Sequence, residues 1–170
     1  KLSGTCLKTG QPFEVEGEKV LLAAGRRPNS EIVKQLDSAL CGPGGFVKVN
    51  EYLETDWPQV YAVGDLIGGK LLAHKAMHEG ILAVENAFGA RHSLEPQMIP
   101  VAVFTDPELA SVGWTEEEAM ERGLKIKIGL FPLHASGRAV AMEKSEGLVK
   151  ILADDNNRLV GAHLLSPAAS

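Results

Sequence analysis

A carboxylate follows an apolar segment and precedes two glycines and a helix. Asp65 comes directly after the run 60–64, Gly68 and Gly69 come next, and a helix is predicted over 72–88. Ligands of parallel sheets bind outside the carboxyl ends of the strands, where an aspartate can accept hydrogen bonds from ribose or ribityl hydroxyls. The start of the helix adds unpaired N–H groups and a positive dipole end. The pattern therefore indicates a polyol site, although aspartate is also a common turn residue at such a position.

Histidine and cysteine are the other residues whose chemistry has to be weighed. His74 lies in the first turn of the predicted helix and could be a general base, but a backbone and packing role is favoured there. Cys6 and Cys41 lie 35 residues apart, without a C-x-x-C or C-x4-C pair. They predict neither a disulfide nor a zinc site, and they suit a reducing compartment such as the cytoplasm.

Composition excludes several classes of partner. The 170 residues include 17 basic and 22 acidic side chains, which gives a net charge of −5. Since no basic stripe is present, neither nucleic acid nor an anionic membrane surface is expected as a partner. No apolar run is long enough to cross a bilayer. With 45% hydrophobic and 23% charged residues, the chain is typical of an ordered globular protein of one large or two small domains.

Strands and helices alternate along the chain and position these residues. Apolar runs and period-two alternation predict ten strands. They are 2–7, 13–16, 20–25, 46–49, 60–64, 101–105, 109–113, 126–130, 148–152 and 159–165. Helices are predicted at 32–36, at 72–88 and from 114 to 123. The run 20–25 is continuously apolar, as in a strand covered on both faces of a parallel sheet.

Two of the predicted helices carry specific signals. In the helix 72–88, apolar residues three or four positions apart form one stripe. They are Ala73, Met77, Ile81, Val84 and Phe88. Gly89 stands where such a helix ends. In the helix that follows, Thr115 and Glu118 predict a capping box, and Gly123 marks the end.

Four segments resemble the pyridine nucleotide-disulfide oxidoreductases in order and spacing. They are 25–29, 60–80, 104–116 and 161–165. The resemblance covers essentially the whole chain and implies an α/β and α+β fold in three parts. Residues 1–29 would be the tail of an NAD-binding dinucleotide domain. Residues 30–97 would form a central FAD-binding segment, and 98–170 a truncated α+β interface domain that joins two copies in a homodimer.

The resemblance also implies roles for single residues. Asp65 would bind the ribityl hydroxyls of FAD, and Gly25 would lie against NAD. Four residues would approach the isoalloxazine ring, largely through their backbone. They are Leu71, Leu72, Ala73 and His74. No residue of this chain is predicted to be catalytic or to bind a metal, and His163 is interpreted as structural.

Within the family, the stretch 72–76 is most similar to the members that oxidise protein-bound dihydrolipoamide with NAD+ through FAD and a redox disulfide. Mercuric and glutathione-type reductases usually differ there, and a non-catalytic dimerisation module is a further hypothesis. Expected partners are the lipoyl-bearing subunits of 2-oxo acid dehydrogenase or glycine cleavage complexes. The sequence lacks the dinucleotide G-x-G-x-x-G motifs, the redox C-x4-C and the catalytic His-Glu pair of the family. We therefore expect a C-terminal piece of such an enzyme, inactive alone and without retained FAD or NAD.

Overall fold

In the part of the chain that the structure describes, the regular structure consists of two antiparallel sheets and four α-helices. The computed structural model describes residues 1–95 and 98–170. Its strands are β1 (Leu2–Thr5), β2 (Pro12–Val15), β3 (Val101–Val103), β4 (Glu108–Gly113), β5 (Ile126–Pro132), β6 (Leu148–Asp154) and β7 (Leu159–Ser166). Its helices are α1 (Glu31–Leu36), α2 (Ala73–Ala87), α3 (Glu116–Glu121) and α4 (Gly137–Ala141). This mixed architecture confirms the predicted fold class. Within the described residues, no helix is long and apolar enough to cross a membrane.

The second half of the chain is built around a five-stranded sheet. Its order is β3-β4-β7-β6-β5, and all neighbours are antiparallel. β7 is the central strand and pairs with β6, and both strands lie where strands were predicted. The capping box before α3 is also confirmed, since Thr115 Oγ1 accepts from the Glu118 N–H at 3.2 Å and Glu118 Oε2 accepts from the Thr115 N–H at 2.9 Å.

The first half holds one hairpin and then a long irregular stretch. β1 pairs with β2, as predicted. The predicted strand 20–25 is wrong, because these residues have no regular secondary structure and form no strand pairing with any described residue. Leu21 is 90% exposed and Leu22 is 85% exposed. A strand covered on both faces needs a neighbour at its edges and layers above and below, and the described residues supply neither.

The middle of the chain forms a small core of its own. Leu53, Leu82 and Ala83 are buried together. The predicted strands 46–49 and 60–64 are wrong as regular strands, since each contributes only one isolated bridge, Cys41–Val47 and Glu54–Tyr61 respectively. Phe46 and Val63 are nevertheless extended, and Val63 leads into the turn that carries Asp65.

Helix α2 confirms the predicted position but turns an unexpected face inward. Its buried residues are Lys75, Glu79, Leu82, Ala83 and Asn86. The apolar stripe is exposed instead: Met77 is 72% exposed, Ile81 and Val84 are each 59% exposed, and Phe88 is 89% exposed. The inner face can carry polar side chains because they bind backbone groups beneath the helix. The apolar stripe, by contrast, is covered by none of the described residues. The helix ends at Ala87 with Phe88 as its C-cap, and Gly89, with a φ of +94°, follows at the position predicted for it.

Candidate functional site

The turn before α2 has a backbone that only glycine adopts easily. Gly64 begins a single 3-10 turn, Gly64–Ile67, with a φ of +76°. A Cβ atom there would lie 3.2 Å from the Cβ of Ala76 on α2. A positive φ costs other residues about 1–2 kcal/mol, and the close helix leaves little room. Gly64 therefore lets the chain bend sharply against α2 directly before Asp65.

Two buried charges of α2 hold this turn from below. Lys75 Nζ and Glu79 Oε1 are 2.7 Å apart, and the two residues are only 6% and 1% exposed. Glu79 Oε2 accepts a hydrogen bond from the Gly64 N–H at 2.7 Å. Lys75 Nζ donates to the carbonyl oxygens of Gly64 at 3.4 Å and Gly68 at 3.0 Å. The polar groups of the turn and the two charges thus satisfy each other.

Asp65 presents its carboxylate at the surface. Its side chain is 48% exposed, and Oδ2 lies 3.2 Å from Nη1 of Arg26. The other oxygen, Oδ1, makes no hydrogen bond to a described residue. Arg26 belongs to the segment 25–29, so the structure brings together two segments that the sequence analysis treated separately. A carboxylate with one free oxygen can accept a hydrogen bond from a hydroxyl of a ligand.

The start of α2 lies directly after the turn. Leu72 is the N-cap residue, and its side chain makes no capping hydrogen bond. Leu71 and Leu72 are half-buried, whereas Ala73 and His74 are exposed. His74 Nε2 lies 2.8 Å from the carbonyl oxygen of Pro100. Since a carbonyl only accepts, Nε2 carries the proton, and His74 links the helix to the segment before β3.

Gly25 lies in an open and exposed part of the chain. Its φ is +93°, and an added Cβ would meet nothing within 4 Å. Glycine is therefore favoured at this position by the backbone conformation alone and not by a packing neighbour. The open space above Gly25 leaves its backbone accessible to a ligand.

The remaining histidine and cysteine candidates lie in structural positions. His163 on β7 bonds Ser111 Oγ through Nδ1 at 2.7 Å and the Trp114 carbonyl through Nε2 at 3.0 Å. Both contacts are satisfied by a neutral imidazole, which agrees with its structural interpretation. Cys6 and Cys41 are free thiols, as predicted. No group of three metal-ligating side chains occurs in the described ranges 1–95 and 98–170.

Sequence reasoning missed the charged residues that support the site. The pair Lys75 and Glu79 has the i, i+4 spacing that allows contact on a helix, but this spacing is also common on solvated faces. The contact between Arg26 and Asp65 joins residues 39 positions apart, and no local pattern predicts it.

Two family profiles match almost all of the chain. Residues 2–80 match the profile described as pyridine nucleotide-disulphide oxidoreductase. Residues 99–170 match the dimerisation domain of the same family. Together they leave out only residue 1 and the stretch 81–98, which includes the two residues outside the described ranges.

Curated relatives point in the same direction. Over 162 residues, or 94% of this chain, it is 41% identical to a dihydrolipoyl dehydrogenase of Bacillus subtilis and 43% identical to one of Thermus scotoductus. The chain spans about a third of these relatives, namely 34% and 35% of their length.

Solved structures share the fold. LpdA of Mycobacterium tuberculosis matches 98% of this chain and 36% of its own, with a TM-score of 0.82 and 26% identity. The flavoprotein disulfide reductase RclA of Escherichia coli matches 86% of this chain and 34% of its own, with a TM-score of 0.70 and 27% identity. The two profiles, the relatives and the shared fold agree with the resemblance seen in the sequence, and the chain belongs to the pyridine nucleotide-disulphide oxidoreductase family.

Proposed function

We propose that this chain is part of a dihydrolipoyl dehydrogenase, in which electrons from protein-bound dihydrolipoamide reach NAD+ through a redox disulfide and FAD. The observation that carries the proposal is the identity of 41% and 43% to two dihydrolipoyl dehydrogenases over 94% of the chain. This agreement between the two relatives favours dihydrolipoamide over the substrates of other disulfide reductases.

The geometry around Asp65 supports a flavin site. Asp65 has an exposed carboxylate with a free oxygen, which fits a ribityl hydroxyl. Leu71, Leu72, Ala73 and His74 lie at the uncapped start of α2, which offers a positive dipole end and the N–H groups of Ala73 and His74. These groups would favour negative charge on a bound ring. The Leu72 N–H already donates to the Lys70 carbonyl oxygen at 3.0 Å. The accessible backbone of Gly25 fits close approach by NAD. When bound, FAD supplies the electron acceptor for the dithiol and the hydride donor for NAD+.

In this proposal the chain contributes binding and orientation and no catalytic side chain. Arg26 holds one oxygen of Asp65, so that the other is free to accept from the ligand. Side chains in the first turn of α2 would not block either cofactor, because Ala73 is small and the His74 side chain is held by the Pro100 carbonyl oxygen. Reactive cysteines and the proton-transferring base would come from outside this sequence, and we expect the chain to be inactive by itself and to retain neither cofactor.

Exposed apolar surfaces support a longer functional unit. Leu21, Leu22 and the stripe of α2 are exposed in this chain, and the curated relatives are about three times as long. We assign residues 1–29 to the end of the NAD-binding domain, 30–97 to the central FAD-binding segment and 98–170 to the interface domain. The additional domains of the longer protein would cover the apolar surfaces, which otherwise favour self-association.

Two kinds of partner follow from the proposal. The match of residues 99–170 to a dimerisation domain supports a homodimer. A dihydrolipoyl dehydrogenase receives its electrons from lipoyl-bearing subunits, so we propose those of a 2-oxo acid dehydrogenase or glycine cleavage complex. Two free thiols, Cys6 and Cys41, are compatible with a reducing compartment such as the cytoplasm.

The proposal is tested by assaying the full-length protein that carries this sequence. We expect reduction of NAD+ that depends on dihydrolipoamide, and no comparable turnover with mercuric ion or glutathione disulfide. Turnover of one of those substrates in place of dihydrolipoamide would contradict the substrate assignment. A flavin-free dimer without any turnover would instead support a dimerisation module.

A further inference from the structure

The ion pair of Lys75 and Glu79 differs in burial from every other pair in the described part of the chain. Its side chains are 8% and 2% exposed, whereas every other ion-paired side chain is at least 21% exposed. Burying two charges removes their hydration, and the attraction between them often does no more than offset this loss. Stability alone is therefore a weak reason for this pair, and its other contacts matter more.

Those contacts converge on both ends of one turn. Glu79 accepts from the N–H of Gly64, and Lys75 donates to the carbonyl groups of Gly64 and Gly68. Hydrogen bonds to charged groups are shorter and stronger than neutral ones. Two such bonds, at 2.7 Å from the Gly64 N–H and at 3.0 Å to the Gly68 carbonyl, and a longer one of 3.4 Å to the Gly64 carbonyl tie the backbone from residue 64 to residue 68 to buried side chains.

This backbone decides where the Asp65 carboxylate lies. Asp65 directly follows Gly64, whose φ of +76° makes the bend, so a change at Gly64 would swing the side chain of Asp65. The exposed partner Arg26 cannot fix the carboxylate alone, since its own side chain is 67% exposed. The buried pair therefore acts on Asp65 through the backbone and does not touch it.

We propose that Lys75 and Glu79 are positioning residues, which fix the turn 64–68 so that Asp65 presents a free oxygen to a bound polyol. The proposal rests on the proposed function in one respect, since it takes this polyol to be the ribityl chain of FAD. The fixed turn itself is independent of that assignment.

Two double variants separate positioning from charge. Lys75→Met with Glu79→Gln removes both charges but keeps an oxygen that can accept from the Gly64 N–H. Lys75→Met with Glu79→Leu has a similar volume and removes that acceptor as well. Any effect of lost charge or of the methionine is common to both, so a difference between them reports on the bond to Gly64.

Two measurements are made on each variant. Hydrogen exchange of the full-length protein, followed by mass spectrometry, gives the protection of the Gly64 amide. Flavin fluorescence gives the dissociation constant of FAD in the full-length protein. A hydrogen bond to a charged or strongly polar acceptor changes an equilibrium constant by a factor of about ten or more. We expect the leucine variant to lose roughly tenfold or more in Gly64 protection and in FAD affinity relative to the glutamine variant.

Controls and outcomes keep this proposal apart from the proposed function. Glu85→Gln and Glu85→Leu alter an exposed acid of the same helix, which pairs with His92, and are expected to change neither measurement. Equal Gly64 protection in the two double variants would overturn the positioning role, whatever the ligand. Unequal protection with equal FAD affinity would overturn the link to Asp65. If the unmodified full-length protein binds no FAD, the proposed function fails, while the Gly64 measurement still decides whether the turn is held.

Discussion

Removing only one member of the buried ion pair is predicted to destabilise the chain more than removing both. Glu79→Leu leaves the Lys75 ammonium, 6% exposed, without its counter-ion at 2.7 Å. Breaking a buried pair in this way costs about 3–5 kcal/mol. Lys75→Met with Glu79→Leu leaves no buried charge, and only backbone groups of Gly64 and Gly68 lose partners. Both variants lose the bond to the Gly64 N–H, so the double variant differs by leaving two carbonyl oxygens without Lys75. These cost about 1 kcal/mol each, at the low end of the usual range, because one of the two bonds is long, at 3.4 Å. Set against about 4 kcal/mol for the unpaired ammonium, the double variant is expected to be about 2 kcal/mol more stable than the single one.

Urea unfolding of the 170-residue chain measures this difference. A change in midpoint at constant slope reports the change in the free energy of unfolding. Glu85→Leu serves as the control, because its side chain is 45% exposed and surface substitutions usually stay within about 0.5 kcal/mol. The reasoning would be refuted if Glu79→Leu lowered the free energy of unfolding by less than about 1 kcal/mol. It would also be refuted if the double variant were less stable than the single one.

Three further predictions concern the second half of the chain. Thr115→Ala should lower the free energy of unfolding by about 1 kcal/mol in denaturant titrations. Hydrogen bonds from the backbone N–H and the side chain of Thr115 lower the pKa of Glu118. The stabilisation by this carboxylate is therefore present above its unfolded pKa and is lost as the pH falls through the folded one. Unfolding at stepwise lower pH should show this loss in the parent but not in Glu118→Gln, and the same loss in both proteins would contradict the prediction. Gly113→Ala should abolish soluble expression, because its φ is +82° and a Cβ would collide with the backbone of the neighbouring strand β7. Gly123→Ala, at a φ of +67° with open space around it, should lower the free energy of unfolding by only about 1–2 kcal/mol. Equal soluble yields of the two variants would count against this contrast. His163→Phe should cost about 1–3 kcal/mol in thermal or urea unfolding, because two half-buried hydrogen-bonding groups lose their partner. No loss of stability would argue against its structural role.

Local chemistry explains why the second half could be predicted from sequence. The alternation of Ile126, Ile128 and Leu130 matches the two-residue period of a strand, and it forms β5. The capping box depends on residues three positions apart, Thr115 and Glu118. Both signals lie within a few residues of the structure that they determine, so the surroundings cannot easily override them.

The first half depends on partners that no local pattern reveals. Residues 20–25 have the composition of a strand covered on both faces, but pairing comes from other segments, and none of the described residues pairs with them. The stripe of α2 was found correctly, yet periodicity cannot say which surface a stripe packs against. The inner face of α2 instead carries Lys75 and Glu79, whose burial depends on backbone groups of Gly64 and Gly68.

The candidate site was predicted in part. The position of Asp65 between an extended segment and α2 follows from the sequence, and the structure places it there. Its contact with Arg26 and the support from beneath required coordinates, because they join residues distant in sequence. The cofactor roles of Gly25, Leu71, Leu72, Ala73 and His74 remain proposals.

The flavin content of the full-length protein tests the central proposal most directly, measured by absorbance after purification for the parent and for Asp65→Ala. Our account predicts bound flavin in the parent and an FAD affinity reduced roughly tenfold or more in the variant, since a hydrogen bond to a carboxylate is lost. A parent without flavin, or a variant that binds FAD as tightly as the parent, would contradict it.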